Sequence, residues 1–307
     1  METTAKLRKK TVKDTASQLE VNSSSTDDDD TKDKSPLMTA VVKIIPMLLF
    51  IAFVVTPYIY YYLNTDRVMI FARVQENVKG RGQILNCSAE YKQALKQFRG
   101  CLPEQCQRFT TDNLVNTIDV ETLLNLTKKA VAKKGPYGGA TIANLHSGAK
   151  SSGKGFLNVQ DLKYDDYDEI EYMVYKNVVE KIRHGIGQIF NVDPKRLYPV
   201  HPTYVMEVVQ WQVGELIENH WHLNFDTLNY DPFLFSTTVF LNDYKRDYSG
   251  GRMVFDAAPV RTVLEPRKGR AVLYTTGPEN PVYVETVQEG ARYSLTVSFA
   301  CKRSNAI

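Results

Sequence analysis

The stretch from residue 204 to residue 300 contains eight short β-rich runs: YVMEVVQWQV (204–213), HWHLNFD (220–226), FLFSTTVFL (233–241), RMVFDA (252–257), RTVLEP (261–266), RAVLYTT (270–276), VYVETV (282–287) and RYSLTVSFA (292–300). Gly, Pro, Asn and Asp residues separate these runs, as turns separate closely connected strands. The stretch therefore predicts a β core folded as a sandwich or a jelly roll.

Two helices are predicted before these strands. Across residues 119–134 apolar residues recur at helical spacing, with Asp119 as the N-cap and Gly135 after the end. A second helix is predicted from about Asp168 to Gln188, with one apolar face formed by Ile170, Met173, Val174, Ile182 and Ile186. Helices followed by closely spaced strands are typical of an α+β domain in which the helices cover one side of the sheets.

The first 63 residues differ in kind from the rest. Residues 1–36 contain SSSTDDDD and no aromatic residue, so they cannot bury a core and are predicted to form a disordered cytosolic tail. The segment IIPMLLFIAFVVTPYIYYYL (44–63) carries no charge, and a helix of this length matches a hydrocarbon core about 30 Å thick. It predicts one transmembrane helix, which makes the membrane itself a partner.

The four cysteines follow this segment, and they indicate which side of the membrane holds the rest of the chain. Their number is even, and the acceptor sequons of Asn86 and Asn125 also lie after the segment. An oxidising compartment is therefore predicted for residues 64–307, in the lumen of the ER or Golgi or outside the cell, which makes the chain a single-pass type II glycoprotein. Three disulfide pairings remain open among Cys87, Cys101, Cys106 and Cys301.

Length and charge restrict the classes of function. With 307 residues the chain is about twice the size of an average domain, but the tail and the apolar segment leave one domain after them. A nucleic-acid-binding protein is expected to carry a clustered basic face. The formal net charge of +3 offers no electrostatic reason to expect one, so nucleic acid is not an expected partner.

Several spaced blocks resemble one known family. The order HLNFD, FLND, SGGRMVF, EPRKGRAVLY and GARYSLTV is similar to the catalytic half of 2-oxoglutarate- and iron(II)-dependent dioxygenases, in their prolyl 4-hydroxylase-like branch. The single apolar segment, the cysteine pattern and GGATIANLHSGAKSSGKGF resemble its membrane-anchored members. The resemblance covers about residues 70–303. It implies a double-stranded β-helix domain at 111–307, with its strand core at about 204–301, after a cysteine-containing lumenal stem at 64–110.

The resemblance also implies an iron site that this chain does not complete. The family holds iron(II) with a His-x-Asp pair on one strand and a distal His on another, which leaves sites for 2-oxoglutarate and oxygen. The matching positions here are Asn224, Asp226 and Val282, so only the carboxylate is an ordinary ligand and Asn224 is a weak one. His222 is an alternative ligand, but it lies four residues from Asp226, about 13 Å along an extended strand.

The co-substrate end of the motif is retained. By resemblance, Arg292 pairs with the distal carboxylate of 2-oxoglutarate, a task suited to a planar guanidinium, and Ser294 is a second donor. The resemblance implies iron(II) and 2-oxoglutarate as cofactors, allows ascorbate, and implies a protein or peptide substrate.

Three classes of function remain open at this point. The first is a dioxygenase that hydroxylates a protein or peptide. The second is an inactive pseudoenzyme that keeps the barrel as a binding or scaffolding module. The third is an adhesion or glycan-binding jelly roll unrelated to dioxygenases.

Overall fold

A computed structural model describes residues 36–64, 67–96, 101–132, 140–146, 150–152, 155–157, 168–210, 221–222, 233–257 and 260–307. The chain divides into two compact units, Met1–Thr65 and Asp66–Ile307. The predicted tail, apart from Pro36, lies outside the described residues.

The first unit is helical wherever it is described. Helix α1 (Pro36–Phe50) continues through a π-helical turn (Ile51–Val55) into α2 (Thr56–Asn64). The π turn ends two residues before Pro57, whose missing N–H breaks the regular hydrogen-bond ladder. The hydroxyl of Thr56 donates to the carbonyl of Ile51 at 2.8 Å. Within the described residues, Val41–Leu63 is long and apolar enough to cross a membrane.

The second unit contains three described α-helices, two short 3₁₀ helices (Pro194–Arg196 and Arg303–Asn305) and fifteen strands. The α-helices are α3 (Ala89–Leu95), α4 (Thr117–Val131) and α5 (Glu169–Phe190). The strands are β1 (Arg67–Ala72), β2 (Arg81–Leu85), β3 (Cys106–Thr111), β4 (Ala140–Ala143), β5 (Lys150–Ser152), β6 (Gly155–Leu157), β7 (Tyr198–Val209), β8 (Trp221–His222), β9 (Phe235–Phe240), β10 (Tyr248–Gly250), β11 (Met253–Phe255), β12 (Val260–Leu264), β13 (Ala271–Thr275), β14 (Val282–Val284) and β15 (Val287–Ala300).

These strands form two sheets. The smaller sheet has the order β1-β12-β11-β14-β8, and the larger has the order β2-β3-β13-β9-β15-β7-β4-β5-β6, with β10 also paired to β15. Only β1 and β12 run parallel among the described pairs. One apolar cluster joins residues of both sheets, including Phe240 and Tyr274 of the larger sheet and Phe255 and Val282 of the smaller. A second cluster joins the outer face of the larger sheet to α4 and α5, which gives the helix-covered jelly roll.

The segment predicted as a separate stem is built into these sheets. Strand β1 pairs with β12, Arg67 lying opposite Val260, while β3 pairs with β13 and β2 with β3. The compact unit accordingly begins at Asp66 rather than at residue 111.

Both predicted helices are present, but two details differ from expectation. The N-cap of α4 is Asn116, whose side chain accepts from the amide of Asp119 at 2.8 Å, so Asp119 is a first-turn residue instead of the cap. The predicted apolar face of α5 was wrong in part, since Ile170 is 67% exposed and Met173 is 56% exposed while Ile182 is buried. Met173 and Ile182 are nine residues apart, which at 100° per residue places them on opposite sides of a helix.

Two disulfides resolve the open pairing. Cys87 is bonded to Cys106 across the ends of β2 and β3, and Cys101 is bonded to Cys301 just after β15. No cysteine is left free.

Candidate functional site

Strand β15 separates a polar inner face from an apolar outer face. Alternate residues of a strand point to opposite sides, and Leu295, Val297 and Phe299 pack into the cluster with the helices. The other set faces the smaller sheet and is buried although it is polar: Arg292, Ser294, Thr296 and Ser298. The inner surface of the barrel is therefore lined with hydrogen-bonding groups.

Arg292 is the most polar of these groups, and its side chain is fully buried. Its Nη1 donates to the hydroxyl of Ser294 at 3.1 Å, and its guanidinium carbon lies 5.2 Å from the centre of the Phe240 ring. Its Nε and Nη2 make no hydrogen bond of normal geometry in the described part of the chain. The hydroxyl of Tyr248, which is likewise buried and unpartnered there, lies close enough to interact with the guanidinium. Burial lowers the pKa of Arg292 below its usual value. A buried guanidinium with spare donors fits a carboxylate ligand, which would satisfy them.

A glycine makes room for this arginine. A Cβ at Gly251 would lie 3.2 Å from Cδ of Arg292 and 2.8 Å from the Val287 side chain, and Gly251 has a φ of +64°. A side chain at this position is therefore excluded both by space and by backbone conformation.

Val282 occupies the position of the distal iron ligand, and its surroundings are apolar. It is 1% exposed, it lies opposite Phe255 in the pairing of β11 with β14, and it belongs to the cluster between the sheets. A valine has no donor atom for a metal. At this position the residues present do not fit iron.

The other predicted ligands fall at the edge of the described residues. Asn224 and Asp226 lie outside them. His222 is the last residue of β8, and the backbone register places it opposite Tyr283, one residue away from the position opposite Val282.

One inward-facing charged residue was missed by the sequence analysis. Arg108 of β3 lies in a row of residues across the larger sheet, opposite Tyr274 of β13, and it is 1% exposed. In its segment, CQRFTT, both faces of the strand mix polar and apolar residues. Neither face is apolar throughout, so the sequence does not indicate which side points inward.

Comparison with known proteins identifies the family. No protein-family model matches the chain. The "2-oxoglutarate and iron-dependent oxygenase domain-containing protein 3" of Xenopus tropicalis is 34% identical over 242 residues, which are 78% of this chain and 76% of that one. The human protein of the same name is 31% identical over 242 residues, again 78% and 76%. The chain belongs to this oxygenase family.

Two further proteins show more distant similarity. Prolyl 3-hydroxylase 1 of Gallus gallus is 25% identical over 217 residues, which cover 63% of this chain and 29% of that one. The structure of a 2OG-Fe(II) oxygenase family oxidoreductase from Burkholderia pseudomallei has 12% identity and a TM-score of 0.42, covering 72% of this chain and 95% of that one.

Family membership confirms the resemblance found in the sequence motifs, and the two packed sheets covered by helices confirm the jelly roll expected from the strand runs. The alternative of an adhesion or glycan-binding jelly roll unrelated to dioxygenases is therefore wrong.

Proposed function

We propose that this chain is a membrane-anchored, lumenal member of the oxygenase family that binds 2-oxoglutarate while its iron triad is degenerate. The observation that carries the proposal is Arg292, a buried guanidinium whose Nε and Nη2 make no hydrogen bond of normal geometry in the described structure. An unpaired buried charge is costly to maintain, and a dicarboxylate would remove that cost.

The degenerate triad is inferred from the replacements at two of its three positions. Val282 offers no donor and is packed among apolar side chains. Asn224 offers a neutral oxygen, which iron(II) binds less well than an imidazole, and Asp226 alone is an ordinary ligand. The barrel would then work as a binding or scaffolding module that retains the co-substrate end of the family site.

The lumenal orientation is supported by the apolar helix Val41–Leu63 and by the two disulfides beyond it. The sequon residues Asn86 and Asn125 are both exposed. Treatment of the cell-expressed chain with an N-glycosidase should lower its apparent mass, and Asn86→Gln with Asn125→Gln should abolish that shift. An unshifted wild-type band would argue against the type II orientation.

The experiment for the binding function is equilibrium dialysis of labelled 2-oxoglutarate against the full-length chain in detergent. Arg292→Met should weaken binding by at least about tenfold, because charged hydrogen bonds contribute about 1.5–3 kcal/mol each. Arg303→Met, at an exposed position, is the matched control and should bind as the wild type does. Equal affinity of the two variants would contradict the role of Arg292.

An active hydroxylase of proteins or peptides is the second candidate, favoured by the name of prolyl 3-hydroxylase 1 among the relatives. It requires iron held by Asp226 with unusual partners, His222 among them, and ascorbate could support its turnover. The discriminating measurement is succinate release with iron(II), 2-oxoglutarate and ascorbate. The double variant Asn224→His with Val282→His is the positive comparison, since it restores both imidazoles.

A further inference from the structure

A second arginine is buried inside the barrel and has no counter-ion among the described residues. Arg108 is 1% exposed, and its guanidinium carbon lies 4.6 Å above the centre of the Phe255 ring. Its Nε and Nη1 make no hydrogen bond within the described structure. Burial lowers the pKa of Arg108 to about 10, so the group is still charged at neutral pH. The contact with Phe255 offsets only part of the cost of burying this charge.

Two further unpaired polar side chains are related by strand register to Arg108 or to Phe255. Thr262 is the register partner of Phe255 in β12, and its hydroxyl is buried without a partner among the described residues. Across the larger sheet, Arg108 lies in one register row with Tyr274, Ser236 and Ser298. The hydroxyl of Ser298 is likewise buried and unpartnered there. Buried polar atoms are normally hydrogen-bonded, so the unsatisfied donors of Arg108 and the unsatisfied hydroxyl of Thr262, beside Phe255, indicate a place for a polar ligand.

Arg270 shows what a structural arginine looks like in the same molecule. It is also fully buried, but its Nε and Nη2 donate to the carboxylate of Asp112 at 2.7 and 3.0 Å. Its remaining donors reach the carbonyls of Arg73, Glu76 and Glu265 at 2.7–2.9 Å. Every donor nitrogen of Arg270 is thus satisfied by the protein, in contrast to those of Arg108.

Arg108 and Arg292 mark different places in the barrel. The row of Arg108 meets β15 at Ser298, six residues from Arg292, which corresponds to about 20 Å of extended strand. Three strand pairings also separate β3 from β15. One carboxylate group cannot contact both guanidinium groups.

We propose that Arg108 forms a second carboxylate-binding subsite in the barrel, with Thr262 as an additional hydrogen-bond donor and Phe255 as its apolar floor. The carboxylate is supplied by an acidic side chain of a peptide, because the two carboxylates of one 2-oxoglutarate molecule are separated by only three carbon atoms and cannot reach both Arg292 and Arg108. The inference is therefore independent of the proposed function.

The test uses the full-length chain in detergent, as wild type, Arg108→Met and Arg292→Met. Without ligand, the melting temperature of Arg108→Met should equal or exceed that of the wild type, because the variant removes an unpaired buried charge and keeps the packing volume. A structural arginine predicts the reverse, so a melting temperature lowered by several degrees would overturn the proposal.

Binding is then measured by calorimetry with matched probes. The pairs are 2-oxoglutarate with 4-oxopentanoate, which lacks the carboxylate next to the ketone, and Ac-Ala-Glu-Ala-NH₂ with Ac-Ala-Gln-Ala-NH₂. Arg108→Met should weaken binding of Ac-Ala-Glu-Ala-NH₂ by at least about tenfold and leave binding of Ac-Ala-Gln-Ala-NH₂ and of 2-oxoglutarate unchanged.

The two arms separate failure of this inference from failure of the proposed function. If 2-oxoglutarate binds neither the wild type nor the variants, the proposed function fails while the peptide pair still tests Arg108. If Arg108→Met binds all four probes as the wild type does, the second subsite is disproved even when Arg292→Met loses 2-oxoglutarate.

Discussion

Arg108, Arg270 and Arg292 are each at most 1% exposed, yet among the described residues only Arg270 has a carboxylate partner, Asp112. Arg270 also donates to the carbonyl groups of Arg73 and Glu76, which belong to the loop between β1 and β2. This arginine therefore ties the N-terminal strands to β13, whereas the other two leave donors free inside the barrel.

Asp112→Ala should destabilise the fold by about 3–5 kcal/mol, because it leaves the charge of Arg270 buried and uncompensated. Urea unfolding followed by far-UV circular dichroism measures this loss. The control is Glu121→Gln, which removes the exposed ion pair with Lys268 and should cost less than about 1 kcal/mol. Similar losses for both variants would contradict the structural role given to Arg270.

The environment of a single residue could be predicted only where it depends on neighbours close in the sequence. The family resemblance implied a pocket role for Arg292, and the structure buries its side chain. Burial alone does not separate the two faces of RYSLTVSFA, because every residue from Ser294 to Ala300 is buried. The free donors of Arg292 and the partners of Arg108 depend on strands distant in the chain, about which a local pattern carries no information.

At the scale of elements, the positions of the two helices and of most strands could be predicted from the sequence. The N-cap of α4, the buried face of α5 and the pairing of distant strands could not. Residues 119–134 and 168–188 are close to the observed α4 and α5. The sequence places the apolar run RVMIFA of β1 in a stem, because its partner β12 begins at Val260 and such a distant pairing has no local signal.

The cap of α4 gives a prediction at this scale. Asn116→Ala should lower the free energy of unfolding by about 1 kcal/mol, because the side chain of Asn116 satisfies the amide of Asp119. Asn116→Asp keeps an acceptor at that position and should remain close to the wild type in urea unfolding. If Asp119 were the cap, as the sequence pattern suggested, Asn116→Ala would have little effect.

At the scale of the whole molecule, the disulfides close loops of very different size. Cys101 and Cys301 are 200 residues apart, and Cys87 and Cys106 are 19 residues apart. Loop-closure entropy predicts stabilisation of about 5 kcal/mol for the first and about 3 kcal/mol for the second. Replacing Cys101 and Cys301 by Ser should therefore lower the melting temperature more than the same change at Cys87 and Cys106, and the opposite order would contradict this account.

The central claim is that the barrel has kept the co-substrate end of the family site and lost the iron end. It is tested most directly by the affinity of the full-length chain for 2-oxoglutarate, measured by anaerobic equilibrium dialysis with excess chelator and then with iron(II). The account predicts binding in the presence of chelator and a dissociation constant that iron(II) changes by less than about threefold. Binding that appears only with iron(II), accompanied by release of succinate when oxygen is admitted, would contradict it.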